Sequence, residues 1–236
     1  MLQALQCIDQ YDIEKAKSLL NQAIESDPRY ALAYALLSYA LTTQFFEDVS
    51  WDTIGQALEY AERALSLDNS DPYCHACLGF ALTYFERYEL AEIHLNTAVS
   101  MNPNSVGCAG PLANLLTRIG RTSEAHKIVD EIALRDPIPY SSYWELRSVI
   151  LFQEGRYEEV LQSTSNKHPL QHWDHAYLAA AYVKLGREAE AQAEAKEVLR
   201  MKPDFSILAY AKQDPFKNPA DQARVLDAFR TAGLPD

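Results

Sequence analysis

One position in this 236-residue sequence recurs at a nearly constant spacing and holds a small or β-branched residue each time. Alignment on YELAEIHLNTAVSMNP, residues 88–103, places six residues there: Ala16, Ala57, Ala91, Ala125, Val160 and Ala191. They are separated by 41, 34, 34, 35 and 31 residues. A second position, seven residues later, holds Ala23, Ala64, Ala98, Ile132, Lys167 and Val198, and a third, twelve after the first, holds Pro28, Asn69, Pro103, Pro137 and Pro203. This period indicates a chain built from structural repeats.

The first half of each repeat carries a pattern typical of one helical face, with residues at i, i+3, i+4 and i+7. The third residue of each group is small, so that a neighbouring helix can approach closely: Ser38, Gly79, Ala113, Ser148 and Ala179. Gly120, Gly155 and Gly186 lie between the two halves and suit a left-handed residue at a helix end. Because proline then prevents the second helix from continuing, each repeat is predicted to be a helical hairpin.

A hairpin of this size cannot cover its own apolar face, so successive copies are expected to stack into an all-α solenoid. We predict six repeats followed by capping helices at 205–236. The repeats are 1–30, which is incomplete, 31–71, 72–105, 106–140, 141–171 and 172–204. In the capping segment, Asn218 and Pro219 should begin a helix that Gly233 ends. Ala223, Leu226 and Phe229 should face the last repeat, with Gln222, Arg224 and Asp227 in water.

The period, the small-residue positions and the terminal proline resemble the tetratricopeptide repeat over residues 1–204. The resemblance implies a right-handed superhelix whose first helices line a concave groove. A second resemblance rests on DPFKNPAD and AGLPD near the end, together with DPRYALAYALLSYAL and the insertion before ALEYAERALSLDNSDP. These stretches are similar to the carboxy-terminal repeat modules of bacterial class III adenylate/guanylate cyclases and of winged-helix transcriptional regulators.

The second resemblance implies a regulatory or sensory module of a bacterial signalling protein. The chain has no counterpart of the cyclase's metal-binding aspartates or nucleotide-binding elements, so that activity is not carried over. A free-standing, self-associating adaptor is the alternative. Leu2, Leu5 and Ile8 line one side of an uncovered first helix, where either a further amino-terminal region, which we favour, or a second copy of the chain is expected.

Two repeats depart from the pattern. The second contains seven extra residues within TTQFFEDVSW, where Ser50 is a candidate N-cap and Phe45, Phe46 and Trp51 are expected to pack against the neighbouring hairpin. The fifth lacks three residues, and Lys167 occupies its small-residue position. Its second helix is therefore predicted to be short and loosely packed, with a soft joint near residues 162–171.

Composition narrows the classes of function. The formal net charge of −12 and the absence of clustered Lys and Arg argue against nucleic-acid binding. The sequence contains no long uncharged apolar run and no secretory signal, so we expect no membrane association and a cytoplasmic location. The four cysteines are expected to be free thiols.

Two clusters invite a metal or redox interpretation. Cys74-His75-Ala76-Cys77 lacks the second cysteine pair of a zinc site, and small buried residues are the better explanation. His168, His172, His175 and Asp174 could hold a divalent ion in a metal-dependent enzyme, although His175 fills a position that is aromatic in other repeats. No phosphate loop or nucleophile elbow is present. We therefore expect no catalysis, no cofactor and no metal.

The groove implied by the first resemblance is the remaining candidate site. Its lining is predicted to include Leu32, Tyr39, Tyr73, Phe80, Tyr84, Asn114, Arg118, Glu145, Phe152, Trp173 and Lys184. This set is aromatic and weakly charged, which favours a protein or peptide partner with an apolar or aromatic segment. The alternative is that these side chains only pack between adjacent helices.

Overall fold

The structure is a computed structural model and describes residues 1–135 and 141–236; Pro137, placed above at the third repeat position, lies outside the described residues. Within these ranges every regular element is a helix, as the fold class predicts. The helices are α1 (Leu2–Asp9), α2 (Ile13–Ser26), α3 (Ala31–Asp48), α4 (Trp51–Leu67), α5 (Pro72–Tyr84), α6 (Tyr88–Met101), α7 (Val106–Arg118), α8 (Thr122–Arg135), α9 (Ser141–Gln153), α10 (Tyr157–Thr164), α11 (His172–Lys184), α12 (Glu188–Met201), α13 (Ile207–Gln213) and α14 (Pro219–Ala232).

The chain divides into two compact units, each described here by itself. The amino-terminal unit comprises Met1–Leu115 and Glu131–Pro137, and the carboxy-terminal unit comprises Leu116–Asp130 and Ile138–Asp236. In the first, α1 packs on α2, α3 on α4 and α5 on α6, and α5 also contacts both α3 and α4. In the second, α9 packs on α10 and α11 on α12, while α14 lies mainly against α11. Within each unit, these helices therefore pack as pairs of sequence neighbours, and each pair contacts the next.

Small residues allow this close helix packing. The six residues at the first repeat position are all buried. At Gly79, an added Cβ would lie 2.5 Å from Leu95 Cγ and 3.1 Å from the Ala91 carbonyl oxygen, so α5 and α6 can approach only without a side chain there. The predicted pairing of small first-helix and second-helix residues is confirmed at this contact.

The turn between paired helices uses a left-handed residue. Gly120, Gly155 and Gly186 have φ of +81°, +76° and +71°, as predicted. Tyr11 and Glu86, which occupy the same repeat position, adopt φ of +57° and +56° despite having side chains. In each case the next N–H bonds back into the helix, as Arg87 N does to Leu82 O at 3.0 Å. The turn geometry is thus common to repeats that lack the glycine.

The two departures from the repeat pattern have different outcomes. Ser50 is the N-cap of α4, and its side chain accepts a hydrogen bond from Thr53 N. Phe45 is fully buried with its ring centroid 6.5 Å from that of Tyr84, and the half-exposed Trp51 lies 6.4 Å from Phe85, which agrees with packing against the neighbouring hairpin. The short second helix of the fifth repeat is confirmed as α10. The predicted loose packing is wrong, because Ser163, Thr164 and Lys167 are buried.

The carboxy-terminal segment begins and ends its last helix as predicted. Asn218 accepts a bond from Ala220 N at 3.1 Å, Pro219 opens α14, and Gly233 ends it with φ of +94°. The predicted buried face is wrong by about one residue: Ala223 is exposed and Leu226 is only half-buried. The buried residues are Val225, Ala228, Phe229 and Ala232. These follow an i, i+3, i+4, i+7 pattern, which keeps to one face of a helix better than a strict three-residue step.

Candidate functional site

The predicted groove residues fall in both units. Six lie in the amino-terminal unit: Leu32, Tyr39, Tyr73, Phe80, Tyr84 and Asn114. Five lie in the carboxy-terminal unit: Arg118, Glu145, Phe152, Trp173 and Lys184.

Phe80 and Tyr84 are core residues of the amino-terminal unit, with exposed fractions of 8% and 1%. The Tyr84 ring meets Phe46 edge-on at 5.0 Å and Phe80 at 5.3 Å between centroids. The Tyr84 hydroxyl donates to Asn114 Oδ1 at 3.3 Å. These two aromatic side chains fit the packing alternative, because their surfaces are already in contact with other helices.

Leu32, Tyr39 and Tyr73 remain half-buried on α3 and α5, two helices that pack on each other. The Tyr39 ring lies 5.5 Å from the Phe80 ring. The Tyr73 ring fills the space that a side chain at Gly107 would need, and its hydroxyl accepts a bond from Ser105 Oγ at 3.3 Å. The two tyrosines are thus partly exposed aromatic side chains on two helices that contact each other. We call Leu32, Tyr39 and Tyr73 the tyrosine surface.

Arg118 is buried at the end of α7 and contacts the chain's own carboxy-terminal segment. Its Nη2 lies 2.5 Å from Asp214 Oδ1, and both side chains are 5% exposed. The guanidinium carbon is 4.8 Å from the centroid of the Phe216 ring. The Arg118 carbonyl oxygen accepts a bond from Lys217 N at 2.8 Å. Arg118 was predicted to contact a partner, but its side chain and carbonyl oxygen contact residues 214–217 of its own chain.

Asp214 is held by a second contact. The Tyr210 hydroxyl donates to Asp214 Oδ2 at 2.7 Å, and its oxygen lies 3.3 Å from the Tyr177 hydroxyl. Burial, followed by the nearby Asp214 charge, raises the pKa of Tyr210 well above its usual value. Tyr210 consequently stays protonated and acts as a donor.

Phe152 is fully buried beside this segment. Its ring lies 5.6 Å from that of Tyr177, which in turn lies 6.0 Å from Phe229 of α14. The neighbouring Gln153 accepts bonds from Arg224 Nη1 at its carbonyl oxygen, 3.0 Å, and at Oε1, 2.8 Å. Arg224 was expected to face water, and it instead joins α14 to the end of α9.

Glu145 and Trp173 belong to a buried charge cluster around Lys167. The Trp173 Nε1–H donates to Glu145 Oε1 at 2.8 Å, and Lys167 Nζ also bonds to that carboxylate. Lys167 Nζ lies 2.5 Å from Asp174 Oδ2, which also accepts from Gln171 N at 2.7 Å. Burial first, and then the Glu145 charge, raise the pKa of Asp174 to about 6, because two carboxylates share one ammonium group.

Two members of the histidine cluster that was considered as an alternative metal site, His175 and Asp174, contact other side chains. His175 Nδ1 lies 2.6 Å from Glu194 Oε2, and Asp174 is paired with Lys167. Burial lowers the pKa of His172 to about 4, with a further contribution from Lys202. Among residues 1–135 and 141–236, no group of three or more His, Cys, Asp or Glu side chains lies in an arrangement that could hold a metal ion.

The cysteines are free and buried, as expected. Burial raises the pKa of Cys74 to about 12 and that of Cys77 well above its usual value. His75 turns away from them, with Nδ1 3.0 Å from His94 Nδ1 and Nε2 3.2 Å from the Asn69 carbonyl oxygen. Thiols in such a setting are poor nucleophiles and poor metal ligands at neutral pH.

Residues missed by the sequence analysis include Gln153, Asp214 and Phe216. The break in helical pattern at DPF contributes to a family resemblance, but nothing in the local pattern indicates that it anchors Arg118. Lys184, by contrast, lies exposed at the last residue of α11. Across the described ranges, no helix has the length and apolar character needed to span a membrane.

Comparison with known proteins identifies the repeat type. Residues 178–205, which cover part of α11 and all of α12, match the tetratricopeptide repeat family model. The carboxy-terminal unit contains a tetratricopeptide repeat. The resemblance drawn from the 34-residue period is therefore confirmed, and tetratricopeptide repeats support a role as a scaffold for protein–protein interaction.

Solved structures agree with this fold. PilF from Pseudomonas aeruginosa aligns with a TM-score of 0.54 at 18% identity, covering 89% of this chain and 93% of PilF. A thermophilic tetratricopeptide protein from Thermus thermophilus aligns at 0.57 and 19% identity, covering 81% of this chain and 98% of that one. The APC/C hetero-tetramer Cut9–Hcn1 aligns at 0.67 and 13% identity, covering 98% of this chain and 45% of that one. At these identities the likeness concerns the fold alone.

A curated relative fits the second resemblance. The putative adenylate cyclase 3 of Rhizobium meliloti (strain 1021) is 35% identical over 81 residues, which is 33% of this chain. The match spans 14% of that relative's length, so it concerns a small part of the cyclase.

Proposed function

We propose that this chain is the regulatory or sensory tetratricopeptide module of a bacterial signalling protein, and that it binds a protein or peptide segment. The observation that carries the protein-binding part is the stack of helical hairpins with a tetratricopeptide repeat at residues 178–205. The signalling part rests on the similarity to a putative adenylate cyclase. A cytoplasmic location and a partner other than nucleic acid or membrane belong to the same proposal. The net charge of −12 supports the exclusion of nucleic acid.

The tyrosine surface is the proposed contact for an apolar or aromatic partner segment. Tyr39 and Tyr73 combine apolar rings, polar hydroxyls and restricted rotamers, which makes tyrosine effective at protein interfaces. Phe80 and Tyr84 belong to the core cluster against which Leu32 and Tyr39 pack. Asn114 holds Tyr84 through its side-chain oxygen and acts as a positioning residue.

Selection from a library of displayed random peptides tests this proposal. We expect the full chain to enrich peptides rich in Phe, Tyr, Trp or Leu, and their affinity to fall about tenfold or more in a Tyr39→Ser, Tyr73→Ser variant. Tyr34→Ser is the matched control, because Tyr34 lies on α3 with its ring against Tyr60, 6.1 Å away. Equal loss of affinity in the control, or no enrichment of apolar residues, would contradict the assignment.

The self-associating adaptor remains the alternative, and one observation favours it: Leu2 is 84% exposed at the amino-terminal end of the first helix pair. The reading frame upstream of Met1 distinguishes the two. An effector domain in continuity supports the signalling module. A stop codon directly upstream, together with a dimer in analytical ultracentrifugation that Leu2→Lys dissociates, supports the adaptor.

A further inference from the structure

The segment from Asp214 to Asp236 contacts the carboxy-terminal ends of two first helices and the side of a third. It reaches α7 at Arg118 and α9 at Gln153, and it packs along α11 through α14. All of these residues belong to the carboxy-terminal unit. Arg118 is also one of the residues predicted to line the partner-binding groove. At Arg118, the chain's own end therefore lies where a partner was expected.

The contact at Arg118 has the chemistry of peptide recognition. A buried guanidinium pairs with the Asp214 carboxylate at 2.5 Å and faces the Phe216 ring at 4.8 Å. The backbone adds a bond from Lys217 N to Arg118 O at 2.8 Å. The Asp214 carboxylate, the Phe216 ring and the Lys217 main chain thus all contact Arg118, and they lie within four consecutive non-helical residues. Arginine combines carboxylate pairing with stacking on an aromatic face, which lysine does less well.

A second anchor lies one turn into α14. Arg224 donates to the Gln153 carbonyl oxygen and to Gln153 Oε1, and Gln153 Nε2 donates to Asp221 O at 3.4 Å. Between the anchors, Pro215 interrupts the helical pattern, and α13 on the other side has only seven residues. The segment is therefore bound by two polar anchors and by the buried face of α14, which comprises Val225, Ala228, Phe229 and Ala232.

We propose that residues 214–236 are an internal ligand of the carboxy-terminal unit, and that a partner segment with a carboxylate two residues before an aromatic ring displaces it to bind Arg118. This inference rests on the proposed function, because it assumes that the module binds protein segments. It adds a second site and states the chemistry of its partner. The tethered segment has a high effective concentration, so the apparent affinity of a free segment is its intrinsic affinity multiplied by the small fraction of molecules in which the site is open.

The test uses the full chain and a fluorescent peptide with the sequence of residues 213–236. Asp214→Asn in the protein weakens the internal ligand and leaves Arg118 intact. We expect this variant to bind the peptide about tenfold more tightly than the wild type in fluorescence anisotropy, because the internal competitor has lost its charge-assisted contact. A peptide carrying the same Asp→Asn change should bind both proteins about tenfold more weakly than the unchanged peptide does. Asp227→Asn, an exposed acid of α14, is the control and should behave as wild type.

Hydrogen exchange on the wild-type chain keeps the proposal falsifiable if the variant does not fold. An internal ligand requires amides of α14 to exchange through an opening that leaves α11 and α12 protected. Exchange of α14 only together with α11 and α12, or equal peptide affinity of the wild type and Asp214→Asn, would overturn the proposal. Either result leaves the tyrosine surface untouched, since its residues lie in the amino-terminal unit and are tested by different variants.

Discussion

Several charged side chains are buried in this chain, and Lys167 is the clearest example. The repeat pattern places it where Ala64, Ala98 and Val198 occur in other repeats, which led to the prediction of a loosely packed helix. The structure instead surrounds its ammonium group with carboxylates from α9 and α11. The repeat position of Lys167 predicts a buried side chain. Its partners, Glu145 and Asp174, lie 22 positions earlier and 7 positions later, and a repeat alignment does not indicate that they contact it.

Replacement of this cation should be costly. Lys167→Met removes the charge shared by Glu145 and Asp174 and leaves two neighbouring carboxylates, so we expect the free energy of unfolding to fall by about 3 kcal/mol. Urea denaturation measures the change. Lys184→Met removes a lysine that is exposed on α11 and should change the free energy by no more than about 0.5 kcal/mol. Similar small effects of both replacements would show that the cluster contributes little.

His172 and Asp174 are predicted to respond to acid in opposite directions. The folded chain holds the pKa of His172 at about 4, below its ordinary 6.5, so its contribution to stability is lost as the pH falls from 6.5 to 4. The pKa of Asp174 is raised from 3.8 to about 6, so the folded state binds this proton first and gains stability over nearly the same range.

Paired variants separate the two effects. Relative to the wild type, His172→Gln should gain stability on acidification from pH 6.5 to 4, and Asp174→Asn should lose it. Chemical denaturation at several pH values supplies both curves. Parallel curves for the three proteins would mean that neither group titrates differently in the folded and unfolded states.

At the level of elements, the helix pairs and their turns were largely predictable, because periodicity, small residues and glycines act locally. The short length of α10 was predicted from the Ser- and Thr-rich composition around its carboxy-terminal end. The buried face of α14 was misjudged because Ala223, Val225, Leu226 and Phe229 allow two nearly equivalent apolar stripes. Only the contact with α11 decides between them.

The left-handed turn position, which holds glycine in some repeats and another residue in others, can be tested by exchanging the residue types at Glu86 and Gly186. Glu86 is exposed and has φ of +56°, whereas its repeat counterpart Gly186 has φ of +71° with no atom within 4 Å of an added Cβ. We expect Glu86→Gly to raise the free energy of unfolding by about 0.5–1 kcal/mol and Gly186→Glu to lower it by about 1 kcal/mol. Thermal unfolding followed by circular dichroism measures both. A loss of stability in both variants would indicate that contacts of the Glu86 side chain outweigh its backbone strain.

For the whole molecule, the sequence predicted the repeat architecture. It did not predict where the carboxy-terminal segment packs. Leu32, Tyr39 and Tyr73 remain half-exposed, whereas Arg118 is covered by Asp214 and Phe216 near the end of the sequence, and Phe152 is buried against Tyr177. A pattern with a period of 34 residues describes contacts between neighbouring repeats. It carries no information about a terminal segment that passes over several of them.

The burial of Cys7, Cys74, Cys77 and Cys108 has a practical consequence. A cysteine engineered at an exposed site should react with a maleimide dye while the native four are shielded. Donor and acceptor fluorophores could then be attached without first preparing a cysteine-free background, and the opening of the last helix could be followed one molecule at a time.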